Sequence, residues 1–162
     1  MFFDLSPSSP QIFISNEQQD VSIDLQSVER LVALFFQLKQ ISTDQVYIYF
    51  LSDDALAQLH NEQFSDPSLT DTITLPIDKP GTQTFPHILG EAFVSPKAAL
   101  RFLGKCTEEQ LYHELSRYVI HSLLHMLGYD DQTDEDKQIM QEQEEAALTF
   151  LSQNQALLQP SV

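Results

Sequence analysis

Two spacings of apolar residues alternate along the chain. Residues 11–15, QIFIS, follow the period of a strand; the polar stretch NEQQDVSID then leads into Leu25–Lys39, where Val28, Leu31, Val32, Phe35 and Phe36 recur at helical spacing. VYIYFLS at 46–52 is β-branched and aromatic and reads as a buried strand, after which Ser52 is placed to cap a helix through Ala55, Leu56 and Leu59. Thr72–Leu75 alternates as a further strand, and Pro76, Pro80, Gly81 and Pro86 forbid a helix after it. ILGEAFVSP at 88–96 is a strand ending in Ser95-Pro96, the cap and first-turn pair of a helix over Lys97–Leu103 that stops at Gly104. Thr107 and Gln110 form a capping box for a long helix through Leu111, Leu115, Val119, Leu123 and Leu127, ended by Gly128. Asp134–Leu151 is acidic and helical in composition, and the segment from about 152, SQNQALLQPSV, is expected to fray. No repeat, low-complexity tract or long linker divides residues 1–162, so one domain is expected.

Charge narrows the classes of function. The 162 residues carry 24 Asp+Glu against 8 Lys+Arg, a formal net charge of −16, and the pI is near 4.3. That argues against a protein that coats DNA or RNA through many cation–phosphate contacts. An apolar content of 42% is enough for a packed core. The apolar runs Leu31–Phe36 and Val46–Leu51 are far shorter than the roughly 18–20 residues that cross a bilayer, so no membrane association is expected. The first residues, MFFDLSPSSP, carry Asp4 where a secretory signal has positive charge. With a single cysteine, Cys106, that is read as an unreactive thiol, a cytoplasmic location is the expectation.

The candidate chemistry lies at the end of the long helix. His121 and His125 are one turn apart on one helical face, so two imidazoles can converge on a point. Gly128 can turn the chain back in the left-handed conformation and carry Tyr129, Asp130 and Asp131 towards the same point. HSLLHMLGYDD therefore offers ligands at its first, fifth and eleventh places, the metzincin spacing, and three protein ligands with one open position describe a catalytic metal site. Metzincins place a water-activating glutamate after the first histidine; Ser122 stands there, which argues against a peptidase. Asp131 is a harder donor than a third imidazole, so the metal's identity is open at this point. His60, His87 and His113 have no ligand spacing to the pair and are read as ordinary polar or loop residues, Asp130 as a turn-former, and Glu114 as an exposed acid or a carboxylate orienting a ligand.

These residues resemble the signature of the YbeY family of bacterial rRNA maturation factors, H-G-x-L-H-L-x-G-Y-D-H. LTDTITLP at 69–76 is similar to the family's P-T-D-V-L-S-F-P, and LGEAFVSP at 89–96 to its L-G-D-I-x-I-S-P. Met140 and the glutamates at 142, 144 and 145 resemble the helix that closes the family domain. Two departures stand out. The family's third metal histidine corresponds to Asp131. Where the family has the arginine of L-N-x-x-Y-R, NEQFS at 61–65 places Ser65, or Phe64 if the loop is aligned without a gap.

The pattern and the resemblance together imply an α+β domain: a mixed sheet of about four strands packed by helices, with the site at the carboxyl end of the long helix. The resemblance implies a metal held by His121, His125 and Asp131, zinc being the expected ion, and hydrolysis of single-stranded RNA by a metal-activated water, with no side chain assigned as the catalytic base. It also implies maturation of the 16S rRNA 3′ end and ribosome quality control on the small subunit, alongside a ribosome-associated GTPase. Lys97, Arg101 and Lys105, spaced by four, and Arg117, one turn before His121, are half of the chain's cations and are candidate phosphate contacts that would replace the family arginine. Two other readings are consistent with the residues: a metal-dependent hydrolase of a peptide or small molecule, and a non-enzymatic ribosome-assembly factor with a closed structural metal site.

Overall fold

The computed structural model describes residues 9–162; residues 1–8 of the segment read for a secretory signal, Asp4 among them, lie outside the described residues. The chain runs β1 (Gln11–Glu17), α1 (Leu25–Lys39), β2 (Gln45–Leu51), α2 (Asp53–Phe64), β3 (Thr72–Pro76), β4 (Ile88–Val94), α3 (Pro96–Leu103), α4 (Glu108–Met126) and α5 (Asp134–Gln153). The strands form one mixed sheet in the order β1-β2-β4-β3, parallel from β1 to β4 and antiparallel between β4 and β3. This is the α+β arrangement expected, with the long helix α4 lying against β3, β4 and α5.

Local rules account for the helix starts. Ser52, Ser95 and Thr107 each accept a backbone N–H of the first turn, and the Thr107–Gln110 pair closes the reciprocal box. Asp24 caps α1 in the same way, accepting from Gln26 N–H. The helical stripe of α1 and the apolar positions of α4 are buried against one face of the sheet, where Val46, Ile48 and Phe50 of β2 meet Leu89, Ala92 and Val94 of β4. Each of the valine, leucine, isoleucine and phenylalanine side chains contributes about 1.5–3 kcal/mol by leaving water.

Strand β2 departs from the buried strand expected of VYIYFLS. Only alternate residues face the core. Tyr47 and Tyr49 lie on the opposite face and stack with Phe13 and Phe93 at centroid separations of 4.8, 6.5 and 4.8 Å along the row. Aromatic rings that look like core in a linear sequence thus form a ladder across the strands.

The terminal segment is packed, which corrects the expectation of fraying from about residue 152. Ala156 and Leu158 are buried; Leu158 N–H donates to Ser116 Oγ at 2.9 Å, Gln159 N–H to Ser27 Oγ at 3.1 Å, and Asp24 N–H to Gln159 O at 2.8 Å. Two buried apolar side chains and three anchors to α1, α4 and the cap of α1 offset the entropy of ordering this polar-looking stretch.

One glycine matters to the site. Gly90 sits opposite Pro76 in the β3–β4 ladder, and a Cβ there would lie 2.9 Å from Leu75 O and 3.1 Å from Met126 Cγ. The absent side chain lets the last turn of α4, next to His125, close onto the sheet.

Candidate metal centre

Helix α4 delivers His121 and His125 one above the other, with ring centroids 4.6 Å apart and Nε2 atoms 3.1 Å apart. Leu127 caps the helix, and Gly128 takes φ +103°, a conformation that a side chain would strain. Its N–H donates to His125 O at 3.0 Å, and Tyr129 N–H to Leu124 O at 3.1 Å. The reversed chain then brings Asp131 Oδ2 to 3.5 Å from both Nε2 atoms. Asp130 acts as the turn-former expected, its Oδ1 accepting Asp131 N–H at 2.8 Å.

The three donor atoms fit a small divalent ion. Bonds of about 2.0–2.1 Å in tetrahedral geometry separate ligand atoms by about 3.3 Å, and the triangle here has sides of 3.1, 3.5 and 3.5 Å. No other group of three histidine, cysteine or carboxylate side chains converges in this way among the described residues.

Sequence reasoning passed over the residue that organises this triangle. Glu144, buried on α5, accepts the Nδ1 proton of His121 at 2.7 Å, which leaves the Nε2 lone pair pointing at the metal position. Burial pushes the His121 imidazole down, but the hydrogen bond and charge of Glu144, with Asp131 and Asp71 adding to it, outweigh that and leave its pKa raised in the metal-free protein. Glu144 is held in turn by Arg117 Nη1 at 3.3 Å, and Arg117 also meets Glu114 at 3.4 Å and Glu145 at 2.7 Å. The ligand-orienting role considered for Glu114 therefore belongs to Glu144. The only advance signal was an acidic residue on a helix about twenty positions away.

Arg117, read as a phosphate contact, is instead engaged by three glutamates: Glu114 one turn earlier on α4, and Glu144 and Glu145 on α5, towards which its helical face turns. Arg101 pairs with Asp53, whose other oxygen accepts from Ser95 Oγ at 2.7 Å, and Lys97 reaches Asp20 at 3.9 Å. Lys105 follows the end of α3 and forms no ion pair among the described residues.

The metal position opens onto a groove of about 540 Å³ between α2, β3 and the loop after α4. Thr72 and Thr74 share the face of Val94 and Ala92 through the β3–β4 register and form one wall with Asp71. Phe64 and His60 form another, their rings 5.2 Å apart. His60 was set aside on spacing, yet the fold brings it to this groove with its Nδ1 buried and unpartnered. Ser65 closes α2 in the left-handed conformation, and neither residue aligned with the family arginine supplies a cation. His87 is structural, as expected: Nε2–H donates to Lys79 O at 2.9 Å, and Nδ1 accepts from Thr43 Oγ1 at 2.7 Å. His113 lines a separate crevice near the carboxyl terminus.

The model of the family Endoribonuclease YbeY matches residues 13–152. The chain belongs to the YbeY family. Endoribonuclease YbeY of Chlamydia muridarum is 80% identical over 158 residues, covering 98% of each chain; that of Chlamydia trachomatis serovar L2 is 78% identical over the same length and shares. The YbeY protein of Chlamydia caviae is 62% identical over 152 residues, 93% of this chain and 96% of its own. A solution structure from Thermotoga maritima has the same fold, with a TM-score of 0.56 and 23% identity over 85% of this chain and 87% of that one. No helix of the described residues is long and apolar enough to cross a membrane.

Proposed function

We propose that this YbeY protein is a metal-dependent endoribonuclease that cleaves single-stranded RNA, acts in 16S rRNA 3′-end maturation and ribosome quality control, and works on the small ribosomal subunit in the cytoplasm, alongside a ribosome-associated GTPase. The whole chain, 1–162, is read as one hydrolase domain. The observation that carries the reading is the triangle of His121, His125 and Asp131 with its Glu144 support, in a chain of this family.

Zinc is the proposed ion. Two imidazoles and a carboxylate suit it, and a three-ligand set leaves a coordination position open to a reactant, whereas a purely structural site would be closed by a fourth ligand. A divalent ion held there supplies Lewis-acid activation of water and of a phosphoryl oxygen. The chain's own residues do the rest. Glu144 fixes the His121 tautomer, Gly128 sets the reach of Asp131, and the wall of Thr72, Thr74 and Asp71 against Phe64 confines a strand beside the triangle. Of the proposed phosphate contacts, Arg101 lines the groove that adjoins the metal centre at Thr70 and Asp71, with Lys97 on the same helix and Lys105 just after its end; reversing charge at Lys97 and Arg101 should weaken RNA binding, and unchanged affinity would remove the strip from the proposal.

The deciding experiment is cleavage of a defined single-stranded RNA by the wild type and by His125→Ala, purified side by side, after chelation and after adding zinc back. Metal-restored cleavage by the wild type alone is expected. Equal cleavage by both, or none by a metal-loaded wild type, would overturn the enzymatic reading.

A further inference from the structure

At Thr70 and Asp71 the metal groove runs on into a second groove of about 400 Å³, lined by Leu69, Arg101, Phe102 and Tyr118. This continuation sets exposed apolar side chains beside a guanidinium. Phe102, in the last turn of α3, is 72% exposed, and Leu69 is 53% exposed across from it. An aromatic ring left in water beside a polar groove forgoes the burial that Phe35, Phe36 and Phe50 gain. Arg101, on the same turn, is held by Asp53, so its guanidinium is fixed in place rather than free to sweep the solvent. Burial, and after it the charges of Asp71 and Glu114, push the Tyr118 phenol well above its ordinary range, so it stays a proton donor at the groove's floor.

The electrostatics say what this arrangement suits. Among the described residues, the groove around the triangle has no lysine or arginine in its lining and does contain Asp71, Asp130 and Asp131. Apart from an ion held by the triangle, that lining offers no cation to the phosphates of a strand. Stacking of bases on aromatic rings, by contrast, needs no cation and tolerates an acidic surface.

We propose that the second groove is a nucleobase subsite, in which an unpaired base of the RNA strand stacks on Phe102 beside the guanidinium of Arg101, with Tyr118 facing the base or its ribose. This rests on the ribonuclease reading and supplies what the missing family arginine leaves undone. It holds the strand next to the triangle through its bases.

The test is binding of the full chain, loaded with zinc, to two fluorescent single-stranded RNA oligonucleotides of equal length and charge, one normal and one with abasic positions. The proteins compared are the wild type, Phe102→Ala, Phe102→Trp and Phe85→Ala, the last removing an exposed ring that lines neither groove. Expected are a loss of about tenfold or more for Phe102→Ala on the normal strand, restoration by Phe102→Trp, little difference between wild type and Phe102→Ala on the abasic strand, and no effect of Phe85→Ala. Equal losses on both strands, or no loss on either, would overturn the subsite. Cleavage is assayed in parallel: a wild type that cleaves RNA while Phe102→Ala binds normally refutes the subsite and leaves the ribonuclease standing, whereas a wild type that neither binds nor cleaves refutes both.

Discussion

Glu144 accepts the Nδ1 proton of His121 at 2.7 Å, and through that bond α5 determines which nitrogen of an α4 side chain faces the triangle of donors. Arg117 holds Glu144 from behind at 3.3 Å. A guanidinium, a carboxylate and an imidazole thus form a relay that ends at the open triangle of donors.

Replacing Glu144 by Gln keeps the size and an acceptor oxygen but removes the charge. Metal affinity should fall by about tenfold to a hundredfold, the usual effect of losing an outer carboxylate partner of a ligating histidine. Competition with a chromogenic chelator measures this, and an unchanged affinity would mean that Glu144 does not orient the ligand.

Asp131 tests the ligand set. Asp131→Ala should lose stoichiometric zinc, while Asp131→His, which restores the donor of the family signature, should keep it and discriminate more strongly against magnesium, since imidazole is a softer donor than carboxylate. Metal content after dialysis against each ion decides the matter; full zinc retention by Asp131→Ala would remove Asp131 from the site.

Gly90→Ala should destabilise the protein by about 1–3 kcal/mol, the cost of overpacking a site that cannot give way. The added carbon meets a backbone oxygen at 2.9 Å and the Met126 side chain at 3.1 Å. Because Met126 adjoins His125, metal affinity should weaken as well. Denaturant unfolding of the metal-free form and chelator competition report the two effects separately, and wild-type behaviour in both would show that the end of α4 has room to move.

Leu158→Ala probes the terminal segment. A side chain this buried should cost about 2–5 kcal/mol on truncation, whereas a frayed tail would leave the unfolding midpoint unchanged.

Periodicity and capping made most of the architecture readable before any coordinates. Strands and helices with Ser52, Ser95 and Thr107 at their starts follow local rules that act within four residues, and His121, His125 and Gly128 lie close enough in sequence for helical geometry alone to align them. Asp131 followed from the same short stretch. What lay beyond reach was every relation between distant segments. Nothing local distinguishes Glu144 from Glu142 or Glu145; its burial against His121 depends on how α5 packs on α4. Arg117 looked free because two of its three partners, Glu144 and Glu145, are on that same helix, and Phe64, His60 and Asp71 became groove residues only when α2 and β3 came together. The polar tail looked loose because composition reports neither the hydroxyls of Ser27 and Ser116 nor the space that Ala156 and Leu158 fill. Local sequence determined which elements form and which ligands the long helix presents, since those energies are set by neighbours in the chain. The tertiary structure alone decided which charges are neutralised and which rings stay exposed, since desolvation and Coulomb interactions depend on distance in space.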